Sequence, residues 1–196
     1  MKDNDIRTCL LNSLERQYRN STDTLIVQEL GLCQGDSRID LAVVNGSLHG
    51  YEIKSEKDTL RRLAGQLDVY SKVLDYVTLV ASPRHLSKVA RIVPAWWGLC
   101  EADYKKGQLK IVKVRIGLEN NDVDPTALVQ LLWRDEALEI LKERQLQKGI
   151  VDKPRRILWQ RITECLSLNE IREEVRNRIK TRQNWRVALQ QVSYDD

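Results

Sequence analysis

Residues 37–70, SRIDLAVVNGSLHGYEIKSEKDTLRRLAGQLDVY, change their hydrophobic period partway along, and that change constrains the fold more than any other feature of the chain. Residues 37–45 alternate apolar and polar, turn at Asn45-Gly46 and resume over 47–55, the pattern of an antiparallel hairpin. Leu60, Leu63, Leu67, Tyr70 and Leu74 then recur at the 3.6-residue spacing of a helix, with Asp58 placed as its cap. The short apolar run 76–82 fits a fully buried strand, and residues 83–93 read as a crossover helix closed by Pro94. Upstream, Ile6, Leu10, Leu14 and Tyr18 mark a first helix over 3–18, capped by Asp3 or Asn4, and residues 23–32 are rich in strand formers. The order is αβββαβ, an α/β sheet with mixed strand directions.

Farther on, WWGLCEAD and QLKIVKVRIG form a second hairpin around Lys106-Gly107, extending the sheet's edge. Residues 126–146, 155–166 and 168–189 read as helices, with a break at Gly149 and Pro154. Residues 1–118 are thus expected to form the core with its added hairpin, and residues 119–196 a basic helical extension packed on it. With 196 residues, 42% hydrophobic and 31% charged, the chain has the make-up of a soluble globular protein. Cys9, Cys33, Cys100 and Cys165 are widely spaced and His49 and His85 are the only histidines, which excludes a thiolate zinc site and a disulfide scaffold by spacing. The charged, amphipathic N-terminus does not resemble a signal peptide, and no run of about 18 apolar residues occurs. A cytoplasmic protein that makes no membrane contact is expected.

The chemistry-bearing residues are Asp40, Glu52 and Lys54, and their relation depends on register. A two-residue Asn45-Gly46 turn pairs Val44 with Ser47 and sets Asp40 opposite Tyr51, facing away from Glu52. A three-residue turn pairs Val44 with Leu48 and brings Asp40 across from Glu52, with Lys54 on the same face. Two carboxylates at about 5 Å Cβ separation repel unless a cation lies between them. Oxygen donors without thiolates or paired histidines select a hard ion, Mg²⁺ or Mn²⁺. Such an ion on Asp40 and Glu52 lowers the pKa of a bound water, and Lys54 steadies charge on a phosphoryl transition state. The plain alternative is a surface Asp–Lys cross-strand pair beside an incidental glutamate.

Asp40, eleven residues, then Glu52-Ile53-Lys54 on adjacent strands resembles the core of the PD-(D/E)xK nuclease superfamily. That family's core has the αβββαβ order, a restriction-endonuclease-like fold. Gln66 and Tyr70 in GQLDVY match the QxxxY found on the helix after the lysine strand in many members. Glu29 in VQELGL falls where several bacterial branches carry an additional metal-side glutamate, and GDSRID followed by GYEIKSEKD is similar to those branches. WWG, LLWRDE and a C-terminal RQNW-like segment resemble a group of uncharacterised bacterial members. Ile39 stands where the family name has proline. The resemblance implies Glu29, Asp40 and Glu52 as metal ligands, with Asp40, Glu52, Lys54, Gln66 and Tyr70 as the catalytic set. It also implies Mg²⁺ or Mn²⁺ as cofactor and DNA as substrate. The plainer readings make Glu29 a strand-edge charge, Gln66 and Tyr70 neighbours on a helix surface, Asp58 an N-cap and Arg38 the partner of a local carboxylate.

The net charge of +4 is concentrated at one end, because residues 146–196 hold 11 Lys and Arg against 7 Asp and Glu. Arg155, Arg156, Arg161, Arg172, Arg176, Arg178, Arg182 and Arg186 recur at helical intervals, as in helices that grip phosphates, although Glu170, Glu173 and Glu174 dilute the row. The alternative is an ordinary solvated helical face. Arg38, Arg155, Arg156 and Arg176 are the candidate nucleic-acid contacts. Five tryptophans accompany no phenylalanine. Trp96 or Trp97 could stack on a base, core packing being the alternative, while Trp133, Trp159 and Trp185 read as core. The leading expectation is a metal-dependent DNA nuclease. Two others stand beside it: a non-catalytic nucleic-acid-binding module that keeps the fold, and a regulatory protein that uses the sheet edge as an interface. Oligomeric state is left open, a homodimer among the options.

Overall fold

The computed structural model describes residues 1–182. Trp185, Arg186 and the end of the expected 168–189 helix lie outside the described residues. The elements are α1 (Asp3–Gln17), β1 (Leu25–Leu32), β2 (Ser37–Val44), β3 (Leu48–Lys54), α2 (Leu63–Val73), β4 (Tyr76–Ala81), α3 (Pro83–Ile92), β5 (Gly98–Lys105) and β6 (Gln108–Arg115). Four helices follow, α4 (Pro125–Leu128), α5 (Arg134–Glu143), α6 (Arg155–Cys165) and α7 (Leu168–Thr181). The αβββαβ order is present, and the second hairpin adds β5 and β6. All six strands form one sheet in chain order, with β3, β4 and β5 parallel and the remaining pairs antiparallel.

The sheet has two differently covered faces. On one, Ile6, Leu10 and Leu14 of α1 pack on Leu41, Val43, Tyr51, Ile53, Val80 and Ala102. On the other, α2 and α3 join residues of the C-terminal helices, such as Leu141, Leu158 and Ile171, in a single larger core. Gly50 allows that core to close against β3, since a Cβ there would lie 2.5 Å from Leu74 Cδ1.

Two expected elements are corrected. The helix after β3 starts at Leu63 and not at Asp58, because the Asp58 carboxylate accepts from Ser55 N–H (2.7 Å) and Ser55 Oγ (2.6 Å) and closes a turn there. The single helix expected over 126–146 is split: Leu132 is extended, and the Glu136 carboxylate accepts Trp133 N–H at 2.7 Å to begin α5. Trp133, read as core, is 44% exposed and lies beneath the Arg182 guanidinium at 4.3 Å. Trp159 and Trp97 are core.

A polar knot ties the C-terminal helices to the sheet. Asp75, buried at the entry to β4, accepts Leu48 N–H at 2.7 Å and lies 2.9 Å from Arg172 Nε and 3.6 Å from Arg176 of α7. The buried Asn120 donates to Ser71 O (2.6 Å) and Leu74 O (2.9 Å), and Arg172 donates to Asn120 O (3.2 Å). Removing the carboxylate takes the ion-pair partner from the half-buried Arg172 and the acceptor from the Leu48 amide together. Asp75→Ala is therefore expected to lower unfolding free energy by about 3–5 kcal/mol, measured by urea denaturation.

His49, on the α1 face of β3, stacks on Tyr51 with centroids 4.3 Å apart and shares a 2.9 Å hydrogen bond with Thr78 Oγ1. Burial pushes its pKa down from 6.5 to about 4. The folded state therefore prefers the neutral ring. Its contribution is complete above pH 6.5 and is lost as the pH falls toward 4. The loss amounts to about 3 kcal/mol. His49→Gln should flatten that part of the stability–pH curve, read from urea midpoints at pH 7, 5.5 and 4.

Candidate functional site

Glu52 and Lys54 sit two positions apart on β3 and so face the same side of the sheet, toward α2. Both are almost fully buried, at 3% and 5% exposure. Lys54 Nζ donates to Glu52 Oε1 at 2.6 Å and to Gln66 Oε1 at 3.0 Å. Gln66 Nε2 donates to Glu52 Oε1 at 2.7 Å. The Tyr70 hydroxyl lies 2.7 Å from Glu52 Oε2 and 2.8 Å from Arg38 O, so its single proton serves one of them at a time. The i, i+4 spacing of Gln66 and Tyr70 thus aims both side chains at one carboxylate. Burial pushes the Glu52 pKa up, the Asp40 charge adds to the rise, and Lys54 and the hydrogen bonds oppose it. Burial and then the Glu52 charge raise that of Tyr70.

Of the two registers, the three-residue turn is the one formed. Val44 pairs with Leu48, and Asn45 Oδ1 accepts Ser47 N–H at 3.1 Å. Asp40 is therefore in line with Glu52, but the β2–β3 ladder stops at Leu41–Tyr51. Beyond that point Asp40 Oδ2 accepts Ile53 N–H at 2.7 Å in place of a backbone carbonyl. Its other oxygen, Oδ1, takes Arg7 Nη2 of α1 at 2.6 Å, and Arg7 Nη1 donates to Asp40 O at 3.0 Å. Asp40 is thus reached from the α1 layer and Glu52 from the α2 layer.

Glu29, placed by the resemblance beside these two, adopts a left-handed φ of 56° and pairs with Arg38 at 3.6 Å. Its side chain is 44% exposed. Among the described residues, no three His, Cys, Asp or Glu side chains group closely enough to hold a metal ion. Asp40 and Glu52 are donors of the type Mg²⁺ takes, yet each already has a protein cation against it. Arg7 was not singled out in the sequence. Its only local signal was the i, i+4 relation to Asp3, a pair that forms at 3.3 Å.

The basic end is arranged differently from the expected phosphate-gripping row. Arg172 and Arg176 turn to Asp75, Arg178 pairs with Glu139 (3.0 Å) and Glu143 (2.7 Å), Lys180 with Asp23 (2.6 Å), and Arg182 with Glu136 (2.6 Å). The reason is packing: α7 lies against acidic α5, so its cations face carboxylates instead of water. Arg155 lies over Trp159 at 5.1 Å and donates to Gln34 at 2.7 Å, while Arg156 is exposed. Arg38 is exposed beside Glu29.

Fold and site together define an α/β protein with a buried carboxylate, lysine, glutamine and tyrosine set toward the carboxyl end of a central strand. The chain belongs to the family of bacteriophage P4 protein cII, whose profile matches residues 1–193. Protein cII of Enterobacteria phage P4 is 29% identical over 184 residues, spanning 93% of this chain and 68% of that protein. Among solved structures, the SPO1766 protein of unknown function from Silicibacter pomeroyi aligns over 78% of this chain and 99% of its own, with a TM-score of 0.44 and 18% identity. Among the described residues no helix is long and apolar enough to cross a membrane.

The buried pair yields a stability test. Glu52→Gln leaves Lys54 charged and buried, with an expected cost of about 3–5 kcal/mol. Glu52→Gln with Lys54→Met removes both charges and should recover most of that loss in the same denaturation experiment.

Proposed function

We propose that this chain is a non-catalytic, nucleic-acid-binding regulatory protein that keeps the strand arrangement and polar set of a PD-(D/E)xK nuclease. One observation carries the reading: the negative charge that would hold a divalent ion is already matched from within, by Arg7 on Asp40 and by Lys54 on Glu52, both at 2.6 Å. A carboxylate so matched, half-buried at Asp40 and buried at Glu52, has little remaining charge to offer a metal. Kinship with a phage protein supports a regulatory role in the biology of mobile elements. On this reading the wild type, given Mg²⁺ or Mn²⁺, retains but does not cut single-stranded, duplex or branched DNA or RNA. Lys54→Ala binds these as the wild type does. Cleavage that disappears in Lys54→Ala would sink the reading.

A second reading, metal-dependent DNA hydrolysis, is favoured by the convergence of Lys54, Gln66 and Tyr70 on a buried Glu52 whose pKa is pushed up partly by Asp40. Asp40 and Glu52 would then hold Mg²⁺ or Mn²⁺, which would supply an activated water. Lys54 would steady charge on the phosphoryl group, and Arg7 would have to leave Asp40. Arg7→Ala should then tighten Mn²⁺ binding measured by calorimetry, and Lys54→Ala should lose about 10²–10³ in rate while holding DNA. Unchanged Mn²⁺ affinity in Arg7→Ala speaks for the first reading.

A further inference from the structure

The α7 arginines are engaged in internal pairs, so any polyanion contact must come from elsewhere on the chain. The parallel strands β3 and β4 both end at the same edge of the sheet, and each is followed there by a segment leading into a helix on the same layer. Ligands of α/β sheets collect outside such carboxyl ends, where the helix N-termini add positive potential. After β3 come the exposed Lys57, Arg61 and Arg62, leading into α2. After β4 comes α3, whose Arg84, Lys88 and Arg91 are exposed and share one face by their spacings of four and three residues.

The two segments adjoin. Ser82 N–H donates to Lys54 O at 2.9 Å, and Arg84 Nη1 donates to Glu56 O at 3.1 Å. Glu56 and Asp58, the acidic residues of the segment after β3, are engaged by the N-terminal amine at 2.8 Å and by Ser55. Among the described residues no carboxylate forms an ion pair with Lys57, Arg61, Arg62, Arg84, Lys88 or Arg91. Six exposed cations outside any ion pair, with the Glu56 charge near Arg84 and Asp58 as the acidic groups among them, form a net positive surface complementary to a phosphate backbone, while the α7 arginines are paired internally.

We infer that residues 57–62 and the outer face of α3 form the docking surface for duplex DNA, with Lys57, Arg61, Arg62, Arg84, Lys88 and Arg91 as phosphate contacts. Duplex is favoured over single strands because neither segment presents an exposed aromatic side chain, the platform on which unpaired bases stack. The three α3 cations span about 10 Å along the helix, enough to meet successive phosphates of one strand. This inference rests on the nucleic-acid reading above and moves its surface away from Arg155, Arg156 and Arg176.

Fluorescence anisotropy of a labelled 20-base-pair duplex, titrated between 50 and 200 mM salt, tests it. Lys57→Glu/Arg61→Glu/Arg62→Glu and Lys88→Glu/Arg91→Glu are each expected to bind at least tenfold more weakly. The dependence of log affinity on log salt should fall by roughly one unit per removed contact. Arg155→Glu/Arg156→Glu should bind as the wild type does. Circular dichroism and the urea midpoint verify that each variant is folded. A folded triple variant with wild-type affinity and salt slope overturns the surface and leaves the nucleic-acid reading standing, whereas a wild type that does not bind duplex, single-stranded DNA or RNA even at 50 mM salt overturns that reading itself. Binding confined to single strands, or to anionic vesicles run in parallel, also overturns the inference.

Discussion

The buried carboxylate of Asp75 is the interaction on which the rest of the architecture depends. A lone charge in that position would be far more costly than any single hydrophobic contact is favourable. It is tolerable because Leu48 N–H and Arg172 approach within 2.7 and 2.9 Å, so β3, β4 and α7 must arrive together. A helix more than ninety residues downstream is thereby required for the correct start of a central strand. At the other end of β3 the Glu52–Lys54 pair imposes a similar condition on α2, since Gln66 and Tyr70 complete its hydrogen bonds. The strand is held between two polar anchors, one structural and one site-like, with Gly50 between them.

Much of the core was legible in the sequence because it is encoded by local period. Alternation marked β2 and β3, the 3.6-residue stripe marked α2, and a short apolar run marked β4. The register was legible only as a pair of alternatives, and the Asn45 side chain bonding to Ser47 N–H decides between them. Gln66 and Tyr70 were placed by motif, and the structure brings both to Glu52. What stayed hidden depends on partners far along the chain. Nothing near Arg7 announces Asp40, nothing near Lys180 announces Asp23, and the α5 carboxylates that absorb Arg178 and Arg182 lie more than thirty residues upstream. Trp133 was misread for the same reason, because a tryptophan among leucines looks like core until a distant arginine covers it.

Charge in this molecule is therefore a matter of address more than amount. The segment with the largest excess of arginine is the one in which arginines act as fasteners, joining α7 to α5 and to the sheet. Residues 57–91 attracted no notice by composition, yet they hold cations that face water. Net charge per segment could not separate these cases, since it counts side chains without asking what each one packs against.

The left-handed backbone at Glu29 has a mechanical consequence. The β1–β2 ladder omits the Glu29–Asp40 rung, and the β2–β3 ladder ends at the same level. Side-chain parity changes there on both strands: Val27 and Leu30 enter the same core, as do Ile39 and Ala42, although each pair is an odd number of residues apart. A crease thus runs across one corner of the sheet, on either side of which the strands obey different alternations. Slippage of β1 or β2 by one residue would have to move this crease as well as the side chains. The fold consequently possesses a registration mark that uniform strands lack, and Asp40 stands on it.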